Sequence, residues 1–416
     1  MKIFMLFFNR KISSFLYIAL LLFVVNTNSS KAITESYLNI STVGSTNAFY
    51  IDSIKNVVSN SFGYGINYYP DSSKFGYFAD LSYLNYINYT DRNFFNSNLG
   101  FMYTYDFSNE LKDLFNTSAS FSNRFDASTY SIFDYLQFLL NFSYIHNFSE
   151  TTSFDISYFP RYRSYLNYSN INYYENALSA SYSDYFETKT NLNFTATLLN
   201  KNYLTSSQHS SMMTMHINEK PKTTNFIQKK GPKWNMNPGD AQNTSNNLNS
   251  MQSSATSITQ LTGNLHLAQN IFESTGLELS IFASRYLSKM TPVNIDGAFA
   301  FIGEAELFDD PYSFENSSIS LTLNQILPYD IFGKMTFSYL DKNYNTYILQ
   351  SDSSKLQRKD KVYFSNISLT KDFEIRDFLF NSISIELAYT YFKNESNLSE
   401  FLFNYNDLFL SCTFNF

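Results

Sequence analysis

Four histidines, at 146, 209, 216 and 266, are all the imidazoles in a chain of 416 residues. Two of them frame a methionine run, His209 and His216 around Met212, Met213 and Met215, which is the side-chain set that suits a soft metal. The sole cysteine, Cys412, stands two hundred residues away and no ligand spacing repeats, so neither a metal nor a cofactor is expected. Ser and Asp are frequent enough to complete a Ser/His/Asp set almost anywhere. No G-x-S-x-G, H-E-x-x-H or glycine-rich phosphate loop gives such a set a frame. The residues point away from catalysis, and an enzyme is not expected.

What the chain has instead is a two-residue rhythm. In "FNTSASFSNRF" Phe115, Thr117, Ala119 and Phe121 fall on one side and Asn116, Ser118, Ser120 and Ser122 on the other. "NLNFTATLL", "SISLTLNQ" and "SISIELAYTY" do the same, and so does the final "DLFLSCTFNF". Successive strand side chains point to opposite faces, so each run predicts a strand with one apolar and one polar face. Sixteen such segments are read between residues 36 and 416, the last at 404–416. Their connections alternate in length: 202–257, 289–313 and 345–360 are long, whereas 187–188 and 273–275 are tight. "GAFAFIGEAELF" (297–308) reads as a further strand by composition. Counting it would invert that alternation, so it is assigned to the sixth long loop.

The first 32 residues read as a cleaved secretory signal: Lys2, Arg10 and Lys11, then the apolar "FLYIALLLFVV", then small residues up to Ala32. The apolar run is shorter than the about 20 residues of a membrane-crossing helix. With the signal's Lys2, Arg10, Lys11 and Lys31 removed, the formal charge falls from −7 to −11. An acidic chain argues against a nucleic-acid partner. The expected organisation is a signal at 1–32 and an all-β unit at 33–416, with a long polar insertion at 202–257. Long strands and loop lengths sorted by parity are features of transmembrane barrels, not of soluble sandwiches.

On these residues the chain resembles Gram-negative outer-membrane β-barrel proteins of the porin kind. The resemblance is carried by the signal, the alternating strands to the end, and the closing aromatic. It implies an antiparallel up-and-down barrel of about 16 strands, with 14–18 allowed. It also implies that Leu408, Leu410, Cys412, Phe414 and Phe416 form the signal read by the barrel assembly machinery and face lipid. Partners would then be outer-membrane lipid, that machinery and small hydrophilic solutes, and porin analogy adds a homo-oligomer. A second, shorter resemblance is to surface lipoprotein assembly modifier and polysaccharide-export barrels, at Arg358, Asp360, Ser396, Asn397, Tyr405 and Phe416. Tyr64, Tyr68, Tyr69, Tyr83, Tyr86, Tyr89, Tyr103, Tyr105, Tyr158, Tyr389 and Tyr391 are expected towards strand ends, where aromatic belts lie.

Within a barrel the polar phase faces the lumen. By phase the inward ionisable groups are Asp80, Arg124, Asp155, Arg161, Arg163, Lys189, His266, Glu278, Lys334 and Glu386, charges of the kind that tune which solutes pass. The insertion 202–257 carries Lys220, Lys222, Lys229, Lys230 and Lys233 against Glu219 and Asp240, together with Trp234, the one tryptophan. One reading folds it inward as a gate whose lysines meet wall carboxylates. The other, favoured by its polar composition, leaves it a disordered external tether. The expected function is passive diffusion of small hydrophilic solutes; the alternatives are export or assembly of polysaccharide or lipoprotein, and surface adhesion.

Overall fold

The computed structural model describes residues 33–46, 56–70, 74–107, 113–167, 172–204, 257–288, 314–349, 355–375 and 381–416. The strands are β1 (Ile33–Ser45), β2 (Val57–Tyr69), β3 (Phe75–Tyr86), β4 (Phe94–Asp106), β5 (Leu114–Asp126), β6 (Tyr135–Asn147), β7 (Thr152–Tyr165) and β8 (Tyr173–Phe186). The second half adds β9 (Thr190–Tyr203), β10 (Ser257–Phe272), β11 (Thr275–Tyr286), β12 (Phe314–Leu327), β13 (Ile331–Leu349), β14 (Lys355–Glu374), β15 (Ser382–Ser396) and β16 (Phe403–Asn415). Each pairs antiparallel with its neighbours in sequence, and β16 returns to β1, so the sixteen close into a barrel.

Closure gives the last strand a partner on its second edge. Tyr37 pairs with Asn415, Ile40 with Cys412 and Ser45 with Asp407, and the amide of Phe416 donates to the Ser36 carbonyl at 2.9 Å. Inside the seam, Asn39 donates to Ser411 (3.1 Å) and Thr413 (2.7 Å). An open edge strand would leave a row of unpaired amides and carbonyls, which hydrocarbon cannot solvate. The ring pairs them all along the wall.

The alternation sorts the side chains. Phe62, Phe121, Phe194, Ile319, Phe337, Leu387, Leu408 and Leu410 are exposed on the outer face, where a soluble protein would bury them. Polar residues such as Ser41, Ser157, Ser179, Thr322, Ser368 and Ser411 lie buried on the inner face. An apolar outside around a polar inside is the inverse of a soluble barrel and defines a transmembrane β-barrel. Near the ends where the connections are short, outward aromatics pack on one another: Tyr68 stacks with Tyr77, Phe75 tilts against Tyr103, and Phe107 meets Tyr105 and Tyr144 edge-on. The expected belt is narrower than the sequence reading, because register turns Tyr69 and Tyr86 inward and leaves Tyr64, Tyr158 and Tyr389 within their strands.

The two barrel ends differ. Connections 187–189, 273–274 and 328–330 are tight, and 204–256 and 287–313 are long. Segment 297–308 lies outside the described residues, but β11 pairs directly with β12 from Thr275 to Ser284, so no strand stands between them in the wall. The seventh long connection is shorter than its expected 345–360. After a register shift between Asn343 and Tyr347, β13 and β14 go on pairing as far as Leu349 and Lys355, so the hairpin runs on past the neighbouring strands.

Candidate functional site

The inner face of the barrel is the surface on which this chain places its chemistry. Its middle is a ladder of small hydroxyl and amide groups paired across strands. Ser179 meets Thr197 (3.0 Å), Ser181 meets Thr195 (2.9 Å), Thr322 meets Thr336 (3.0 Å), Ser338 donates to Ser320 (2.7 Å) and Asn366 to Thr390 (2.8 Å). Such pairs arise because directly opposite residues share a face, so polar phases on neighbouring strands meet each other. These paired side chains are short, so they reach only a little way in from the wall.

At the long-loop end the inner wall changes character. Arg124 lies 4.0 Å from the Phe94 ring centroid and bonds Asp126 at 2.8 Å. Arg161 donates to Glu175 at 2.7 Å, and Arg163 donates to Gln137 at 2.7 Å and stacks 4.1 Å over Tyr135. Lys201 sits 4.1 Å over Tyr173, Lys342 lies 4.7 Å over Phe314, and Arg358 is sandwiched by Tyr344 (4.1 Å) and Phe401 (3.6 Å) beside Asp360. These large side chains are buried: Tyr173 is 1% exposed, Lys201 2% and Asp360 0%. Cations at this end are held by rings and carboxylates rather than by water.

Towards the short-turn end the wall is acidic. Tyr37 donates to Asp80 at 2.9 Å, reaching it by lying across Gly65, where any Cβ would run into the tyrosine ring. Asp155 accepts from Ser143 and Ser157, and Glu278 accepts from Asn324 at 2.5 Å with His266 Nε2 at 3.6 Å. The side chains of His266 and Glu278 point inward yet stay 31% and 33% exposed. Glu386 pairs in register with Ser411 and Thr370, and Lys334 with Asn324 and Ser368, on the same inner face.

Of the ten residues read from phase, nine therefore share the inner face, and they divide between its two ends. Lys189 is the correction. It stands in the 187–189 turn with φ 60°, its amide bonded to the Phe186 carbonyl at 2.9 Å, so it belongs to the rim and not the wall. Lys220, Lys222, Lys229, Lys230, Lys233 and Trp234 lie outside the described residues, as do His209 and His216. Among the described residues no three His, Cys, Asp or Glu side chains gather where they could hold a metal ion. Leu408, Leu410, Cys412, Phe414 and Phe416 share the outward phase, opposite Ser411, Thr413 and Asn415. Sequence reading missed Lys201, Lys342 and Asp126. It noticed Arg358 and Asp360 as part of the second resemblance, and here they form a buried pair. The neighbouring Asn397 accepts from the Lys359 amide at 2.8 Å and donates to the Gln357 carbonyl at 2.8 Å, tying the long β13–β14 hairpin to the next connection.

A closed sixteen-stranded ring with lipid-type residues outside and polar ones within is a membrane barrel of porin architecture. No family model matches the chain, and no curated relative does. Solved structures that match in outline include OccD3 (OpdP) of Pseudomonas aeruginosa, at 9% identity and TM-score 0.48, covering 93% of this chain and 92% of that one. OccAB1 of Acinetobacter baumannii matches at 7% identity and TM-score 0.46, covering 94% and 98%. A bacterial polysaccharide outer-membrane secretin matches at 9% identity and TM-score 0.41, covering 92% and 97%.

Proposed function

We propose that this chain forms, in a Gram-negative outer membrane, a water-filled channel through which small hydrophilic solutes diffuse passively. The observation that carries the reading is the inner face: a closed wall of Ser, Thr and Asn side chains, on which His266 and Glu278 stay partly exposed. A ring of about 16 strands is wide enough to leave an aqueous passage, whereas about 8 strands would be filled by side chains. Residues 1–32 act as the export signal, and the outward Leu408–Phe416 phase serves as the segment read during barrel assembly. No step of this function needs a catalytic group or a cofactor.

Swelling of liposomes that contain the refolded protein tests it. Arabinose and other small sugars should enter and swell the vesicles, and larger oligosaccharides should enter progressively more slowly. Vesicles that hold folded barrel, shown by heat-modifiable migration on gels, and yet admit no sugar would overturn the reading.

A further inference from the structure

The ionisable groups of the inner wall are sorted along the barrel axis. On the inward phase, Glu35, Asp80, Asp155, Glu278, Asp372 and Glu386 all lie within six residues of the short-turn ends of their strands, each on a different strand. Among the described residues of that stretch and phase, the wall places a single lysine, Lys334. The other half holds Arg124, Arg161, Arg163, Lys201, Lys342 and Arg358.

The two sets are not equivalent in how their charge is met. Arg124, Arg161 and Arg358 are bonded to Asp126, Glu175 and Asp360, and the cations rest on aromatic rings at 3.6–5.3 Å. The paired carboxylates offset three of these six charges, and Arg124, Arg163, Lys201, Lys342 and Arg358 are buried in the wall. The carboxylates at the other end are met chiefly by neutral donors: the Tyr37 hydroxyl on Asp80, the Ser143 and Ser157 hydroxyls on Asp155, and the Asn324 amide on Glu278, which also has His266 Nε2 at 3.6 Å. A neutral donor satisfies an anion without cancelling its charge. These carboxylates are spread around the wall, so they make a field and not a single binding point. Low-dielectric walls of one sign concentrate the counter-ion between them.

From this arrangement we infer that the short-turn half of the lumen is a cation-attracting compartment, and that Asp80, Asp155, Glu278 and Glu386 make the channel selective for positively charged small solutes. The inference rests on the channel reading and names the class of solute it favours. At the long-loop end solutes meet an aromatic collar whose cations are largely buried and in part paired with carboxylates. Beyond it, only cations meet an attractive wall.

The test is the reversal potential of reconstituted channels under a potassium chloride gradient. The wild-type chain should show potassium permeating faster than chloride. Replacing the four carboxylates together (Asp80→Asn, Asp155→Asn, Glu278→Gln, Glu386→Gln) should move the potential towards zero by more than half. If that variant does not fold, the two pairs Asp80→Asn/Asp155→Asn and Glu278→Gln/Glu386→Gln should each produce a partial shift. A wild-type channel that prefers chloride or neither ion overturns the inference and leaves the channel reading intact. So does a folded variant with unchanged selectivity. Folded wild-type protein that gives no current overturns both.

Discussion

At the scale of the residue, the fold spends its large inward side chains at one end. Arg358 and Asp360 are buried together, with Asn394 donating to Asp360 at 3.2 Å and the Tyr344 and Phe401 rings closing over the guanidinium. A buried ion pair gives little net stability compared with apolar residues of the same shape, but leaving one partner alone is costly. Asp360→Ala should therefore lower stability by about 3–5 kcal/mol, and the double change Arg358→Met/Asp360→Leu should restore most of the loss. Urea unfolding followed by far-ultraviolet circular dichroism in lipid vesicles checks both. A single variant as stable as the parent would mean that the pair is solvated. Sequence alone hides such a site, because Arg358 was read inside a loop and its aromatic partners are contributed by β13 and the connection after β15. Lys189 was misplaced for the opposite reason: the alternating pattern was carried one residue too far into a turn whose left-handed φ pattern alone does not reveal.

At the scale of the element, the strands were legible because hydrocarbon outside and polar wall inside impose a period of two on every one of them. The last strand shows how sharply. Leu410 and Thr413 are three residues apart on β16, yet the first is 52% exposed outside and the second is a bond partner of Asn39 inside. Leu410→Lys, near the middle of the outward face, should cost about 2–4 kcal/mol in vesicles. Thr413→Lys should cost well under half of that, since the new charge enters the lumen. Equal losses at the two positions, in the same urea unfolding experiment, would contradict the assigned phase. Where the rhythm was a poor guide was at strand ends. The long β13–β14 hairpin continues beyond the neighbouring wall, held by pairing that crosses a register shift. No apolar face is needed there, so no alternation marks it.

For the whole molecule, closure was implied by the resemblance to outer-membrane barrels, and the pairing of β16 with β1 from Tyr37 to Ser45 supplies it. The count of sixteen came from the alternating segments, and loop lengths sorted by parity kept 297–308 out of it, a consequence of a chain that turns tightly on one side of a bilayer and freely on the other. The inner wall's division into an aromatic and cationic end and an acidic end was not legible, because it depends on which strand end each residue occupies all round the ring. The central claim is that this ring encloses a continuous aqueous path, and the measurement that meets it most directly is ion current through single molecules in a planar bilayer. Purified, folded protein should insert in discrete conductance steps that scale with salt concentration and persist at steady voltage. Folded barrels that insert, shown by protease protection, and pass no current would contradict the account.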